Sequence, residues 1–256
     1  MKKDPTARRT LDFARPLVSV DVAIFTVLGD ALKVLLTRRP EGEGEPFAGA
    51  ACLPGGFVDV EQDASLQDCA LRKLSEKTGY AAPYLEQLAS WGSATRDPRG
   101  WSTTHAWFAL VPPPGEDAGD GRTDWVAADA AVNKRLAFDH REILRTALER
   151  LRSKVEYTSL PAFLLDEPFT LPELQHAYEV VLARPVDKRA FRTRTPDARL
   201  LQAAGTVHAV GRHLAVAGEE KYLLLLRLGD IEERGGDDGF TLEGLAADLF
   251  LDDVEI

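Results

Sequence analysis

The segment of residues 53–79 constrains the fold of this chain more than any other. It begins as a short strand that enters a glycine turn at Gly55 and Gly56, and it continues into a helix after a polar stretch. Ser65 is placed to cap that helix, and Gly79 is placed to end it in the left-handed conformation. A turn followed by a helix between strands predicts an α/β domain.

Hydrophobic patterning on both sides of this segment completes the expected domain. β-branched and aromatic runs predict strands, and apolar residues at helical spacing predict helices. The expected strands are 17–28, 31–38, 86–94 and 104–111, and the expected helices are 65–78 and 139–154. We therefore expect residues 1–155 to form one α/β domain.

Composition limits the kind of protein that this can be. The chain has 256 residues, enough for two domains, and it contains two cysteines. It has no apolar run long enough to cross a membrane, and the first residues lack the apolar stretch of a signal peptide. We expect a cytoplasmic protein with no disulfide framework and no membrane partner.

The second half of the chain has the pattern of a helix-turn-helix. Thr170 and Glu173 are placed to form a capping box at the start of one helix, and Asp187 is placed to cap the next. Two strands are expected after these helices, at 206–210 and 214–228. Two helices followed by a β-hairpin are typical of a winged helix, which we expect over residues 156–228.

Charge is segregated along this half of the chain. Residues 184–212 hold seven bases and two acids, a net charge of +5, although the whole chain carries −10. A basic second helix in a helix-turn-helix favours contacts with DNA phosphates and base edges, although the same residues would also suit a solvated face. The residues expected to contact DNA are Lys188, Arg189, Arg192, Arg194 and Arg212.

The last part of the chain, residues 229–256, is an acidic tail. Residues 228–256 hold ten acids and one base, a net charge of −9. One hypothesis is that the tail covers the basic helix and weakens DNA binding. The alternative is that the tail is solvated or contacts a second subunit.

The turn and helix described first resemble the Nudix box. In that family the pattern is Gly, five residues, Glu, seven residues, then Arg-Glu-U-x-Glu-Glu-x-Gly-U, where U is aliphatic; its glutamates hold magnesium against a diphosphate. The positions that fit here are Gly56, Arg72, Leu74, Glu76, Gly79 and Tyr80. The resemblance implies a Nudix α/β/α sandwich with a mixed sheet.

The chain departs from the Nudix box at its carboxylates. Lys73 and Lys77 stand at the positions of the first and third helix glutamates, and Glu76 remains. The loop glutamate is also missing, because its position falls on Gln62 or Ala64 according to the end from which residues are counted. Magnesium needs anionic oxygen ligands, and two ammonium groups would repel it. We therefore assign no catalytic residue and expect no cofactor.

Two interpretations of this altered helix stay open at the level of sequence. In the first, the helix has a packing role, and its lysine face binds a diphosphate without metal. In the second, the protein is a magnesium-dependent hydrolase of nucleoside diphosphate derivatives. Glu76 would then be a metal ligand, and Asp59, Glu61 or Asp63 would replace the missing glutamates.

Candidate ligand-binding residues lie near the glycine turn, on the altered helix and in two arginine pairs. Arginine forks match the geometry of diphosphate oxygens, although each arginine taken alone would also suit a solvated surface. The candidates are Arg38, Arg39, Gly55, Gly56, Phe57, Arg72, Glu76, Arg96 and Arg99.

Further stretches between residues 13 and 195 resemble the NrtR family of Nudix-related transcriptional regulators. They are 19–22, 25–26, 53–60, 96–100, 138–140, 148–157, 169–175, 187–189 and 191–192. The resemblance implies a degenerate Nudix domain that senses ADP-ribose or a related nucleotide, a winged helix that binds operator DNA, and a dimer. We thus expect a ligand-responsive repressor. The alternatives are the hydrolase and a nucleotide sensor whose second domain contacts protein.

Overall fold

Strongly apolar strands build a mixed sheet in the first half of the chain. The computed structural model describes residues 14–79, 84–114, 123–166, 169–189 and 191, and the backbone of 201–203 and 221–224. The strands of the sheet are β1 (Leu17–Leu28), β2 (Ala31–Arg38), β3 (Ala51–Cys52), β4 (Gly55–Phe57), β5 (Tyr84–Ser93), β6 (Ser102–Leu110) and β7 (Thr123–Ala127). Their order is β3-β2-β1-β6-β5, with β4 paired to β1 and β7 paired to β2. β1 and β6 run parallel and the other pairs are antiparallel.

Helices cover both faces of this sheet. Side chains of β1 alternate between the two faces, because successive residues of a strand point in opposite directions. Val20, Val22 and Ile24 pack with the buried residues of helix α1 (Leu66–Thr78). The alternate residues of β1 pack against helix α3 (His140–Val155), which follows the short helix α2 (Ala128–Ala131). The result is the expected α/β/α sandwich.

The ends of helix α1 follow from its sequence. The Ser65 hydroxyl oxygen accepts a hydrogen bond from the backbone N–H of Asp68, and it donates to the Asp68 carboxylate at 2.8 Å. Gly79 ends the helix with φ 75°, in the left-handed region that glycine adopts without steric cost. Both caps confirm the predicted helix bounds.

The second half begins with a 3-10 helix (Leu160–Leu164) and helix α4 (Leu171–Leu182). Thr170 and Glu173 form the reciprocal capping box that the sequence predicts. Strands β8 (Phe169–Thr170), β9 (Leu201–Ala203) and β10 (Lys221–Leu224) form a second sheet in the order β8-β10-β9. A helical segment joined to such a hairpin is the winged helix expected from the sequence.

Helix α4 also packs on the first domain. Val181 is fully buried in the core that contains helix α3 and one face of the large sheet. Arg152 donates a hydrogen bond to the carbonyl oxygen of Val181 at 2.9 Å, and the Tyr178 hydroxyl donates to the carbonyl oxygen of Thr158 at 2.7 Å. The first helix of the winged helix is thus held against helix α3.

The observed bounds of the first domain agree with the predicted bounds to within two residues. Strand β7, helix α2 and the 3-10 helix were not predicted, because each is five residues or shorter and has no periodic pattern. The predicted strand at 206–210 and the acidic tail lie outside the described residues. Within the described part of the chain, no helix is both long enough and apolar enough to cross a membrane.

Candidate effector cleft and DNA-binding helix

The two glycines expected in a turn lie instead in strand β4, where the β4 and β1 backbones come very close together; the name glycine turn is kept for Gly55 and Gly56. Gly55 on β4 pairs with Asp21 on β1. A Cβ atom at position 55 would lie 2.3 Å from Asp21 Oδ1 and 2.4 Å from the carbonyl oxygen of Val20. Only glycine fits there, and its presence brings the turn directly over a buried carboxylate.

Lys73 of helix α1 lies over the second glycine of this turn. Its Cε atom would be 3.0 Å from a Cβ atom placed on Gly56. The Lys73 ammonium group donates to Glu76 Oε2 at 3.1 Å, and Arg72 donates to Glu76 Oε1 at 3.0 Å. Partial burial raises the pKa of Glu76, but the hydrogen bonds from Lys73 and Arg72 outweigh burial, so the pKa lies below its ordinary value. Glu76 is therefore an ionised carboxylate that already forms ion pairs with Arg72 and Lys73.

The nearby loop carboxylates also have protein partners. Arg72 forms a bidentate pair with Asp63, with N···O distances of 2.8 Å and 2.7 Å. These hydrogen bonds hold the pKa of Asp63 far below its ordinary value. Asp59 accepts hydrogen bonds from the backbone N–H of Glu61 at 3.0 Å and from the Gln62 side chain at 2.6 Å. Asp59 and Asp63 therefore organise the loop.

This donor set does not suit a magnesium ion. Among the described residues, no group of three or more His, Cys, Asp and Glu side chains has a metal-binding arrangement. Magnesium binds through carboxylates whose oxygens are free to face it. Asp63 and Glu76 instead direct their oxygens toward Arg72 and Lys73.

A buried ionic network lies beside the glycine turn on the face that helix α3 covers. Arg96 forms a bidentate pair with Asp139, with N···O distances of 2.8 Å and 2.7 Å, and lies 3.5 Å from Asp21. The Arg96 side chain is 7% exposed and that of Asp21 is 8% exposed. The pair connects the loop after β5 to the residue that precedes helix α3.

His140 completes the network. Its Nδ1 atom accepts a hydrogen bond from the backbone N–H of Leu53 at 3.0 Å, so its Nε2 atom is placed to donate to Asp21, 3.4 Å away. Burial alone would raise the pKa of Asp21. His140, Thr104 and Arg96 outweigh burial and hold the pKa of Asp21 below its usual value.

Two aromatic rings and two guanidinium groups lie together beside this network. The Phe138 ring centroid lies 4.7 Å from that of Phe47, 5.2 Å from the Arg39 guanidinium and 5.8 Å from that of Arg96. Arg39 itself pairs with Glu45 at 2.9 Å. Together these groups form a cationic and aromatic wall around the start of helix α3.

A second aromatic and cationic pair lies next to the glycine turn. The Arg99 guanidinium lies 5.0 Å from the centroid of the Phe57 ring, and Arg99 pairs with Asp97 at 2.8 Å. Phe57 is 45% exposed and Trp101, two residues after Arg99, is 52% exposed. Exposed aromatic faces beside arginine suit a ligand that carries both rings and phosphates.

The structure thus brings most of the predicted ligand residues into two neighbouring groups. Arg39 and Arg96 belong to the wall at helix α3, and the others adjoin the glycine turn and helix α1. Arg38 lies apart, 62% exposed and 3.7 Å from Asp124. Direct contact of any of these residues with a ligand remains a prediction, and Arg96 already has buried protein partners.

Sequence reasoning did not assign roles to several residues that build the cleft. They are Asp21, Phe47, Phe138, Asp139 and His140. Asp21 could have been recognised from the sequence, because a single acid inside an apolar strand needs a partner when it is buried. Phe47 and Phe138 could not have been recognised in this way, because their contact joins loops that are distant in sequence.

A separate groove of about 320 Å³ lies between the turn after β1, helix α2 and helix α4. His176 lies 3.3 Å from Asp30 across this groove, and Glu179 also lines it. The groove is distant in sequence and in the sheet from the glycine turn. It marks the junction at which the winged helix meets the first domain.

The start of the expected DNA-binding helix is described. Lys188, Arg189 and Phe191 have helical backbone conformations, and the backbone N–H of Phe191 donates to the carbonyl oxygen of Asp187 at 2.8 Å. Phe191 is buried in one cluster with Phe169, and Val186 packs against that cluster just before the helix starts. Arg192, Arg194 and Arg212 lie outside the described residues.

Fold and site together define a class of protein. A Nudix sandwich whose helix α1 presents cations at carboxylate positions is joined to a winged helix with a basic second helix. Comparison with known families agrees: residues 18–147 match the NUDIX domain, and residues 161–215 match the NrtR DNA-binding winged helix domain.

The chain belongs to the NrtR family of Nudix-related transcriptional regulators. It is 42% identical over 207 residues to the ADPR responsive transcriptional repressor NtrR of Acinetobacter baylyi, which covers 80% of this chain and 82% of that protein. The crystal structure of Shewanella oneidensis NrtR matches with a TM-score of 0.71 and 39% identity over 82% of this chain and 94% of that one. The complex of the same protein with a 27mer DNA matches with a TM-score of 0.68 and 39% identity, over 82% and 93% of the two chains. These relatives favour the regulator over the hydrolase.

Proposed function

We propose that this protein is a transcriptional repressor whose Nudix domain binds ADP-ribose and whose winged helix binds operator DNA. Binding of the nucleotide shifts the protein away from its operator. The names of the A. baylyi repressor and of the S. oneidensis DNA complex support this proposal. The observation that carries it is the pairing of Glu76 with Lys73 and Arg72, which leaves the carboxylate of the helix that would hold metal engaged by two cations of the protein.

The cleft binds its nucleotide without hydrolysing it. A diphosphate that meets Lys73 and the arginines of the cleft gains charge-assisted hydrogen bonds without needing a metal ion. The proposed contacts come from the glycine turn, from helix α1, from the wall at helix α3 and from the pair of Arg99 and Phe57; Arg38 is the one proposed contact that lies apart from these groups. They involve Arg38, Arg39, Gly55, Gly56, Phe57, Arg72, Glu76, Arg96 and Arg99.

The basic second helix of the winged helix contacts DNA. Lys188 and Arg189 lie in its first turn, after the charge-poor helix α4. Arg192 and Arg194 continue the same basic stretch of the sequence, and Arg212 follows later within the segment proposed to bind DNA. Contacts of lysine and arginine with phosphates set the register on the duplex, and arginine also reads guanine edges.

The protein acts as a homodimer in the cytoplasm, where it has access to its operator. A dimer would place two basic helices on successive turns of one DNA face. Residues 1–155 bind the effector, residues 156–228 bind DNA and residues 229–256 form the acidic tail. Helix α4 fixes the DNA-binding part to the effector-binding part, so that movement in the cleft can reach DNA.

Two assays on the full-length protein test this function. The first measures binding to its own upstream DNA with and without ADP-ribose; we expect tight binding that ADP-ribose weakens. The double variant Lys188→Ala with Arg189→Ala should bind more weakly and show a shallower salt dependence. The control Lys134→Ala with Arg135→Ala removes two exposed bases from the Nudix domain and should bind DNA like the wild type.

The second assay incubates the protein with ADP-ribose and magnesium and measures AMP. Turnover near the usual enzyme range of about 1 s⁻¹ or faster would contradict a receptor. Absence of both turnover and DNA binding would instead favour a sensor whose second domain contacts protein. Both results can be obtained from one preparation.

A further inference from the structure

Helix α4 ends in a way that leaves one of its backbone carbonyl groups to another part of the molecule. Ala183 ends the helix in the left-handed conformation, with φ 52°. The carbonyl oxygens of Glu179 and Val180 accept hydrogen bonds from backbone N–H groups of the turn that follows. The carbonyl oxygen of Val181 accepts instead from Arg152 of helix α3, at 2.9 Å. A residue of the first domain therefore completes the C-terminal cap of α4.

Arg152 joins three helices at one point. Its Nε atom donates to the Val181 carbonyl oxygen, and its Nη2 atom donates to the Asp129 carboxylate of α2 at 2.8 Å. The guanidinium group can make both bonds at once because its N–H groups point in fixed, different directions. Its positive charge also lies at the C-terminal end of α4, where the helix dipole favours a cation. Arg152 thus ties α4 both to α3 and to α2.

Two other polar contacts of α4 with the preceding chain are weaker or more local. His176 lies 3.3 Å from Asp30, but the Asp30 side chain is 95% exposed, and exposed ion pairs contribute little. The Tyr178 hydroxyl donates to the carbonyl oxygen of Thr158, which belongs to the segment that leads from α3 into the winged helix. Arg152 is largely buried and reaches across 29 positions of the chain. It is therefore the polar contact best placed to hold the two domains together.

Helix α4 in turn fixes the start of the DNA-binding helix. The Glu179 carboxylate accepts hydrogen bonds from the backbone N–H of Val186 and from the Gln175 side chain, both at 3.0 Å. These bonds lower the pKa of Glu179, so the carboxylate stays ionised and keeps both partners. Gln175 also donates to the carbonyl oxygen of Val186 at 3.1 Å. Lys188 and Arg189 follow directly after this anchored turn, so a displacement of α4 displaces them as well.

Helix α3 connects Arg152 to the effector cleft. Asp139, just before the helix, forms the bidentate pair with Arg96, and His140 in the first turn accepts the backbone N–H of Leu53. Arg152 lies on the same helix about 20 Å from this end, at a rise of about 1.5 Å per residue. Rigid helices and packed side chains carry energetic coupling between distant sites. A shift at the start of α3 therefore reaches the cap of α4.

We propose that Arg152 is the positioning residue that couples the effector cleft to the DNA-binding helix. With both of its bonds in place, the end of α4 follows α3, so nucleotide binding beside the start of α3 changes the position of the basic helix. Without them α4 keeps its apolar contacts and its local bonds, and the two domains respond separately. This inference rests on the proposed function, because it names the residue through which the effector controls DNA binding.

The test measures the coupling itself on the full-length protein. The Kd for the protein's own upstream DNA is measured with and without saturating ADP-ribose, and the ratio of the two values is the coupling factor. We expect a factor of about 5 to 150 for the wild type and below about 3 for Arg152→Met, while the Kd for ADP-ribose alone stays unchanged. Arg152→Lys keeps the charge but lacks the planar fork that makes both bonds, so its factor should lie between these values.

The matched control is Arg150→Met. Arg150 belongs to the same helix but pairs with Glu86 of β5, inside the first domain, so its loss should leave the coupling factor at the wild-type value. Asp129→Ala removes one of the two partners of Arg152. Because the Asp129 carboxylate is 62% exposed, this variant should melt close to the wild type and still have a lower coupling factor.

Thermal melts separate a loss of coupling from a loss of stability. A lower melting temperature of Arg152→Met with an undiminished coupling factor would overturn the inference, because Arg152 would then have a structural role alone. Equal losses of coupling in Arg150→Met and Arg152→Met would also overturn it. Undiminished factors in Asp129→Ala and Arg152→Lys would refute it even if Arg152→Met did not fold. All these results leave the proposed function intact, which fails if ADP-ribose does not weaken DNA binding by the wild type.

Discussion

Replacement of Arg96 by methionine tests whether the buried ionic network holds the effector cleft together. Arg96 is the cation that lies between Asp21 and Asp139, and its side chain is 7% exposed. Methionine preserves much of the volume and removes the charge. Asp139 would then lose its bidentate partner, and Asp21 would keep only His140 and Thr104 as partners.

The expected loss of stability follows from burial. Breaking a buried ion pair by removing one partner costs about 3–5 kcal/mol, because the remaining charge is uncompensated. The control is Arg184→Met. Arg184 pairs with Glu156 at 2.6 Å, a distance close to the 2.7 Å of the Arg96–Asp139 contact, but the side chains of Arg184 and Glu156 are both about half exposed. An exposed pair contributes about 0–1 kcal/mol.

Urea unfolding followed by tryptophan fluorescence measures both variants. The pH dependence gives a further check, because the pKa of Asp21 is lowered in the folded protein. Its stabilising effect is present above the unfolded pKa of about 4 and is lost as the pH falls through the folded pKa. Without Arg96 the pKa of Asp21 in the folded protein rises, so ionised Asp21 contributes less to the free energy of unfolding. The loss of stability caused by Arg96→Met should therefore be smaller at pH 4 than at pH 7. Equal losses for Arg96→Met and Arg184→Met would refute a stabilising role for the network.

Three further substitutions test other parts of the structure. Gly55→Ala places a Cβ atom 2.3 Å from a carboxylate oxygen and should cost about 3 kcal/mol, whereas Gly42→Ala, whose nearest contact is 3.5 Å, should leave the melting temperature almost unchanged. Thr170→Ala removes a capping box and should lower the free energy of unfolding by about 1 kcal/mol in denaturant titrations. The double variant Lys73→Glu with Lys77→Glu should bind Mg²⁺ about tenfold more tightly by calorimetry, since repulsion becomes attraction; unchanged affinity would show that the site lacks more than its charges.

The elements of the first domain could be predicted because each has a local cause. Strand β1 is a continuous apolar run, and helix α1 has a serine at its start and a glycine at its end. The sequence could not predict α4 as part of the first domain's core. Val181 belongs to the helix-turn-helix by pattern, and its burial depends on a long-range contact with helix α3 that no local pattern encodes.

The site could be predicted in part for the same reason. Lys73 and Glu76 are three residues apart on one helix, so their contact follows from helical geometry. The partnership of Arg96 with Asp139 crosses 43 residues. An arginine in a loop is equally compatible with a ligand or with a buried carboxylate, and only the folded structure shows which carboxylate lies within reach.

The altered Nudix helix keeps the backbone features of its family, but lysines stand at two positions where the family has glutamates. Gly55 still brings the turn against β1, but Glu76 and Asp63 now neutralise Arg72 and Lys73. In a hydrolase a bound metal ion neutralises part of the negative charge of the diphosphate and then assists its cleavage. Here the cations belong to the protein itself, so the same diphosphate can be bound without its cleavage. Under the proposed function, a cleft that leaves its ligand intact can respond to the concentration of that ligand, and helix α4, which packs on helix α3, joins the two domains.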